Sequence, residues 1–280
     1  LNGNVMAVNS KWIAYPEKDG FCLTILDRAL PPRRSASPRK REPWHHGQSI
    51  KDFGFNPFDH DQVMTVAPDG YMKLWKIPEG GCVGNELTSP AGTWKSKDST
   101  ALRGFQWHPS LARLVMSRSS RKIMLWDLNA DTELVSSDEA IFAGGDISST
   151  SLSYDGSVIY AHAKDKRIRI LDLRLSSGRQ VVATAQGHEG IRHSATAHLG
   201  SSPYFCTTGH GGGTSAKTRQ LALWDSRKLE EGTNPLSSSI QVLDVDDGPS
   251  YGSQLVPLFD GGGDQGSGLL YLVGKGESLL

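Results

Sequence analysis

Gln62-Val63-Met64-Thr65-Val66-Ala67-Pro68-Asp69-Gly70-Tyr71-Met72-Lys73-Leu74-Trp75-Lys76 decides the fold. Apolar and polar positions alternate on both sides of Pro68-Asp69-Gly70, the pattern of two half-buried strands. Asp-Gly between such runs is a strong hairpin signal, because glycine takes the left-handed backbone that a tight turn needs. The second run ends on a tryptophan, whose large flat ring packs well between strands and whose N–H seeks an acceptor.

Working outward, the same ending recurs. Ile25-Leu26-Asp27, Leu125-Trp126-Asp127, Ile170-Leu171-Asp172 and Leu223-Trp224-Asp225 accompany Leu74-Trp75-Lys76. The anchors Leu26, Trp75, Trp126, Leu171 and Trp224 recur roughly every 50 residues, slightly above the spacing of WD40 repeats. Loop insertions account for the excess. Ser157–Ala161, Lys164-Asp165-Lys166 and Ile168–Leu173 repeat the hairpin design. A four-stranded blade has two apolar faces and cannot bury both alone, whereas blades stacked radially cover one another. The expected fold is therefore all-β, a WD40 β-propeller.

Within the blade that ends at Trp75, His46, Thr65 and Asp69 are expected to form a buried structural chain with the indole. Trp126, Asp127, Asp165, Leu171, Asp172, Trp224 and Asp225 are the corresponding repeat anchors. The full set of His, Thr, Asp and Trp is expected in one blade at most. Ser120 and Thr218 stand six residues before Trp126 and Trp224, where Asp69 precedes Trp75, and Leu171 replaces the tryptophan after Asp165.

The chain has 280 residues, no net charge at pH 7 and a pI near 7.3. No global field draws it to nucleic acid, so electrostatic contacts must use local patches. Its three cysteines, Cys22, Cys82 and Cys206, lie far apart, which fits neither metal spacing nor a disulfide framework, and a cytosolic compartment is expected. No apolar run is long enough to span a membrane. The opening Leu1-Asn2-Gly3, without Met, reads as a fragment or processed product.

Two basic clusters stand out. Residues 28–45 form a Pro/Ser-rich insertion carrying Arg33, Arg34, Arg39, Lys40 and Arg41. It reads as a solvated loop or as a contact for an acidic protein or anionic lipid. Ser37-Pro38 inside it has the form of a proline-directed phosphorylation site, where phosphate would offset the basic charge. Lys164, Lys166, Arg167, Arg169 and Arg174 form the second cluster, read as a charged exposed sheet edge or, for the first four, a second anionic contact. Gly209–Thr214 lacks the Gly-Lys-Ser/Thr ending of a phosphate loop. His188, His193 and His198 fall at a spacing that suits no metal site. No acid, base and nucleophile set converges, so no cofactor, no metal and no enzymatic activity are expected.

Several segments outside the repeat resemble the coronin family. Lys76-Ile77-Pro78-Glu79-Gly80-Gly81 resembles its strand with an "IPEGG" tail, and Phe105-Gln106-Trp107-His108-Pro109 its "WHP" opening. Lys164–Arg174 is similar to "SKDKKVRVIDPR", and Gly187-His188-Glu189-Gly190-Ile191-Arg192 to "HEGxR". Phe205–Gly209 with Arg219–Asp225 resembles "FTTGF…RQLALWD", and Leu255–Asp260 with Leu272–Ser278 resembles "LLPFYD" and "LCGKGDS". These segments follow the family's order over nearly the whole chain. The turn Pro16–Gly20 and the insertions look most like one propeller of the long, tandem-propeller coronins.

The resemblance implies a seven-bladed propeller over residues 1–280, here incomplete at about five to six blades. It also implies a non-enzymatic protein that binds filamentous actin, is cytoplasmic and cytoskeleton-associated, and has links to Golgi or vesicle traffic. Peripheral membrane contact and trafficking or ubiquitin-pathway partners belong to the same expectation. The alternative is a generic WD40 scaffold without actin affinity.

Overall fold

A computed structural model describes residues 6–16, 20–21, 23–29, 46, 48–77, 89–97, 99–130, 132–190, 194–212, 218–247, 254–260 and 268–275. Their regular elements are almost all β-strands, in two compact units divided in sequence between Val135 and Ser136.

The first unit begins with a three-stranded antiparallel sheet of β1 (Ala7–Val8), β2 (Trp12–Pro16) and β3 (Leu23–Asp27). Two four-stranded sheets follow, each a meander in sequence order. One comprises β4 (Asp52–Phe55), β5 (Gln62–Val66), β6 (Tyr71–Lys76) and β7 (Gly92–Lys95). The other comprises β8 (Gly104–Trp107), β9 (Leu114–Arg118), β10 (Ile123–Asp127) and β11 (Glu133–Ser136), the unit boundary falling inside β11.

The second unit holds the sheet of β12 (Ile147–Leu152), β13 (Ile159–Ala163), β14 (Arg167–Leu171) and β15 (Val181–Gln186). Next comes the sheet of β16 (Ala195–His198), β17 (Tyr204–His210), β18 (Thr218–Asp225) and β19 (Gln241–Asp247). A two-stranded sheet of β20 (Gln254–Asp260) and β21 (Leu269–Lys275) ends the unit.

The quoted stretch shows why a sheet of this kind must be covered on both faces. Successive side chains of a strand point to opposite faces. Val63 joins Trp12, Ile25, Phe53 and Trp75 in one buried cluster. Its neighbours Met64 and Val66 join Met72, Trp94, Trp107, Val115 and Trp126 in another. The two clusters therefore sandwich the β4–β7 sheet. In the second unit, Tyr160, Ile168, Ile170, Phe205 and Trp224 fill the seam between the β12–β15 and β16–β19 sheets.

The Asp69-Gly70 turn adopts the expected geometry. Gly70 has φ +82°, and Asp69 Oδ1 accepts the Tyr71 N–H at 3.0 Å. The corresponding turn before β14 places Lys166, not glycine, in the left-handed region at φ +66°.

The acid of each repeat ending has a local task. Asp27, Asp127, Asp172 and Asp225 each accept the backbone N–H two residues on, from Ala29, Asn129, Arg174 and Arg227, at 2.8–3.0 Å. Such Asx turns bend the chain out of the strand. Among the described residues no helix is long and apolar enough to cross a membrane.

Candidate functional site

The polar positions of each blade start from one register rule. The anchor Trp75 pairs with Val63 across the β5–β6 hairpin, so its indole reaches the hydroxyl two residues further along β5. Trp75 Nε1 donates to Thr65 Oγ1 at 2.9 Å. The same diagonal operates twice more: Trp126 Nε1 donates to Ser117 Oγ at 2.8 Å, and Trp224 Nε1 to Thr207 Oγ1 at 2.9 Å.

His46 Nδ1 lies 3.2 Å from the Asp69 carboxylate, and its Nε2 lies 3.3 Å from the carbonyl oxygen of Thr65. His46 thus meets the backbone of Thr65, while Trp75 meets the hydroxyl. Burial pushes the His46 pKa down, against the pull of Asp69. Lys73 Nζ donates to the His46 carbonyl at 3.1 Å and ties the histidine to β6.

The β16–β19 sheet carries a related chain that the sequence reading did not nominate. His188 Nε2 lies 2.9 Å from Thr207 Oγ1, the atom that also accepts the Trp224 N–H. A signal was present: His188 precedes Thr207 by 19 residues, and His46 precedes Thr65 by the same 19. The unequal hairpins hide it, since Trp75 lies 10 residues beyond Thr65 and Trp224 lies 17 beyond Thr207.

Because both donors converge on one hydroxyl, Thr207→Val is expected to cost about 1–3 kcal/mol, at the upper end of the range for an orphaned buried group. Thr65→Val removes the acceptor of one indole N–H and a long 3.4 Å bond to the Lys73 carbonyl, and is expected to cost less. Urea denaturation of the two variants checks the order.

The β12–β15 sheet solves the same problem differently. Leu171 replaces the tryptophan, and Ala161 stands where the hydroxyl would be. Arg169, two residues before Leu171, makes a two-pronged ion pair with the turn residue Asp165, one prong being Nη1 to Oδ1 at 3.1 Å. Its guanidinium also lies 5.3 Å from the Phe142 ring.

This geometry corrects the reading of Arg169 as a surface contact. Its side chain is only 8% exposed, and β14 is an interior strand between β13 and β15, not a sheet edge. The basic residues left at the surface are Lys164, Lys166 and Arg167, with Lys164 and Arg167 exposed and Lys166 half-buried. Arg167 lies 3.5 Å from Glu231. The other cluster, Arg33, Arg34, Arg39, Lys40 and Arg41 with Ser37, lies outside the described residues, as does most of the 28–45 segment. Among the described residues, no group of three or more His, Cys, Asp or Glu side chains is arranged to hold a metal ion.

No family model matches the chain. It is similar to Coronin-7 of Bos taurus, 29% identical over 281 residues that cover 99% of this chain and 27% of that protein. Coronin-7 of Homo sapiens is 30% identical over 236 residues, covering 84% of this chain and 23% of that protein. The coronin-like protein crn1 of Schizosaccharomyces pombe is 29% identical over 238 residues, covering 84% of this chain and 36% of that protein. The chain thus spans about a quarter to about a third of these relatives. In structure it is similar to the WD40 domain of Toxoplasma gondii coronin, with a TM-score of 0.77 and 24% identity, covering 99% of this chain and 66% of that one.

Proposed function

The chain being a coronin-like WD40 propeller, we propose that it acts as a non-enzymatic binding platform whose partner is filamentous actin. The observation that carries the reading is the exposed basic group Lys164, Lys166 and Arg167 on the β13–β14 turn, a surface held by a buried sheet. An acidic filament offers the complementary charge, and such a contact steers association and weakens with salt. The 28–45 insertion, with Arg33, Arg34, Arg39, Lys40 and Arg41, belongs to the same proposal. Phosphate on Ser37 would oppose it.

The polar chains around Trp75 and Trp224 are structural in this reading. Their members bond one another inside the sheets. The protein acts in the cytoplasm on the cytoskeleton, and in the tandem-propeller version of the reading at Golgi or vesicle membranes.

A second reading, a scaffold for other proteins without actin affinity, draws on β19. Val242, Leu243 and Val245 are 37%, 48% and 39% exposed on this outermost strand. Exposed apolar strand edges favour protein partners.

Charge reversal tests the first reading. Lys164→Glu with Arg167→Glu is expected to weaken co-sedimentation with actin filaments by about three- to tenfold at low ionic strength and by less at high salt. Equal pelleting of variant and parent at both salts would remove this turn from the contact.

A further inference from the structure

The second unit contains a row of buried histidines that the binding reading does not use. His162 lies near the end of β13, His188 lies in the segment before β16, and His210 closes β17; they are 3%, 0% and 4% exposed. The His162 and His188 rings lie 6.2 Å apart. The His162 and His188 rings each rest on a glycine, and the His210 backbone and Cβ rest on a third. A Cβ at Gly187 would stand 2.6 Å from His162 Nε2, one at Gly209 2.4 Å from the His188 ring, and one at Gly190 2.7 Å from His210 Cβ. A larger residue at any of the three positions would force these atoms to shift.

Two ring nitrogens in this row, His162 Nε2 and His188 Nδ1, have no hydrogen-bond partner. The opposite nitrogens are engaged: His162 Nδ1 lies 2.5 Å from Ser194 Oγ, and His188 Nε2 contacts Thr207. We propose that this row is an acid-sensitive seam: a proton taken up by His162 or His188 parts the β12–β15 sheet from the β16–β19 sheet. A proton on His162 Nε2 creates a buried cation with no acceptor among the described residues, and one on His188 Nδ1 a buried cation beside a second histidine with only the neutral Gln220 side chain to meet it.

Among the described residues, the charged surroundings offer such a cation no free carboxylate. The turn before β14 brings Asp165, but Arg169 of β14 already holds that carboxylate. β18 brings Gln220 near His188 and the buried Arg219 opposite His210. The segment before β16 brings Glu189, which is exposed and packs against Gly212. β16 brings only His198, whose own pKa burial lowers.

Burial, helped by the neighbouring His188, pushes His162 down to about 3, and burial pushes His188 down to about 4. Both start from an ordinary value of 6.5. The unfolded chain therefore binds more protons than the folded one in acid. The stabilisation is full above pH 6.5 and is lost as pH falls from there toward 4 and below.

The test is an acid titration of the chain followed by near-ultraviolet circular dichroism, with potentiometric proton uptake. The parent should lose its tertiary signal below pH 6.5 with uptake of up to two protons by this pair. His162→Gln keeps a polar partner for Ser194 and removes one titrating group. It should shift the midpoint to lower pH by about half a unit or more and lower the uptake by about one proton. An unchanged midpoint and uptake would overturn the proposal. Should His162→Gln not fold at neutral pH, the histidine ring resonances of the parent decide: both rings staying neutral in the folded state down to pH 5 supports the seam, and titration near 6.5 in the folded state contradicts it.

Discussion

Trp224→Ala is expected to lower the stability of the second unit by about 3–5 kcal/mol, the range for deleting a large buried aromatic. Trp224 is completely buried between two sheets, stacks with the Phe205 ring at 6.0 Å and packs with Tyr160, Ile168 and Ile170. Its removal opens a cavity and strips Thr207 of one donor. A domain of ordinary stability has only about 5–15 kcal/mol to lose. The variant should therefore unfold at much lower urea than the parent, or be largely unfolded in buffer. Trp224→Phe separates the two contributions: it keeps most of the ring's packing and loses the hydrogen bond, for an expected cost nearer 1–2 kcal/mol. Equal midpoints for parent and Trp224→Ala would show that this residue does not hold the seam.

The ion pair of the β12–β15 sheet should give the second large effect. Asp165→Asn preserves the cap on the Arg167 N–H, since the side-chain oxygen that accepts at 3.1 Å remains. It leaves Arg169 as a buried cation with no carboxylate, at an expected cost of about 3–5 kcal/mol. The double variant Asp165→Asn/Arg169→Met removes the stranded charge and replaces it with apolar volume beside Phe142. It should recover most of that loss, because a buried pair exchanged for packed apolar groups is often close to neutral. The coupling between the two sites is read from thermal or urea unfolding of the four proteins. Strict additivity would mean that the guanidinium does not depend on Asp165.

These two sites also show what the sequence could and could not tell. The fold was legible because the period-2 runs, the Asp-Gly turn and the recurring apolar-apolar-acid endings are local features, and the register of β5 against β6 follows from them. The partners of Arg169 were not. Ala161 and Arg169 face each other across β13 and β14, and only that pairing shows the arginine turning inward to the turn aspartate. Alternation put Arg167 and Arg169 on one strand face, but burial distinguishes them: Arg167 lies near the strand's end with Glu231, and Arg169 lies deep against Phe142.

The second histidine chain was half legible. The 19-residue interval from His188 to Thr207 repeats that from His46 to Thr65, but the longer hairpin before Trp224 breaks the simple offset used for Trp75. The repeat acids were recognised by position. Their use, an Asx turn that ends each strand, needed the backbone geometry.

The binding reading is tested most directly by the fraction of this chain that pellets with preformed actin filaments as filament concentration rises, at low and at physiological salt. The account predicts saturable pelleting that is stronger at low salt. Pelleting no greater than in the absence of filaments, from a chain whose circular dichroism shows an intact β fold, would contradict it and leave the apolar β19 surface as the better guide to function.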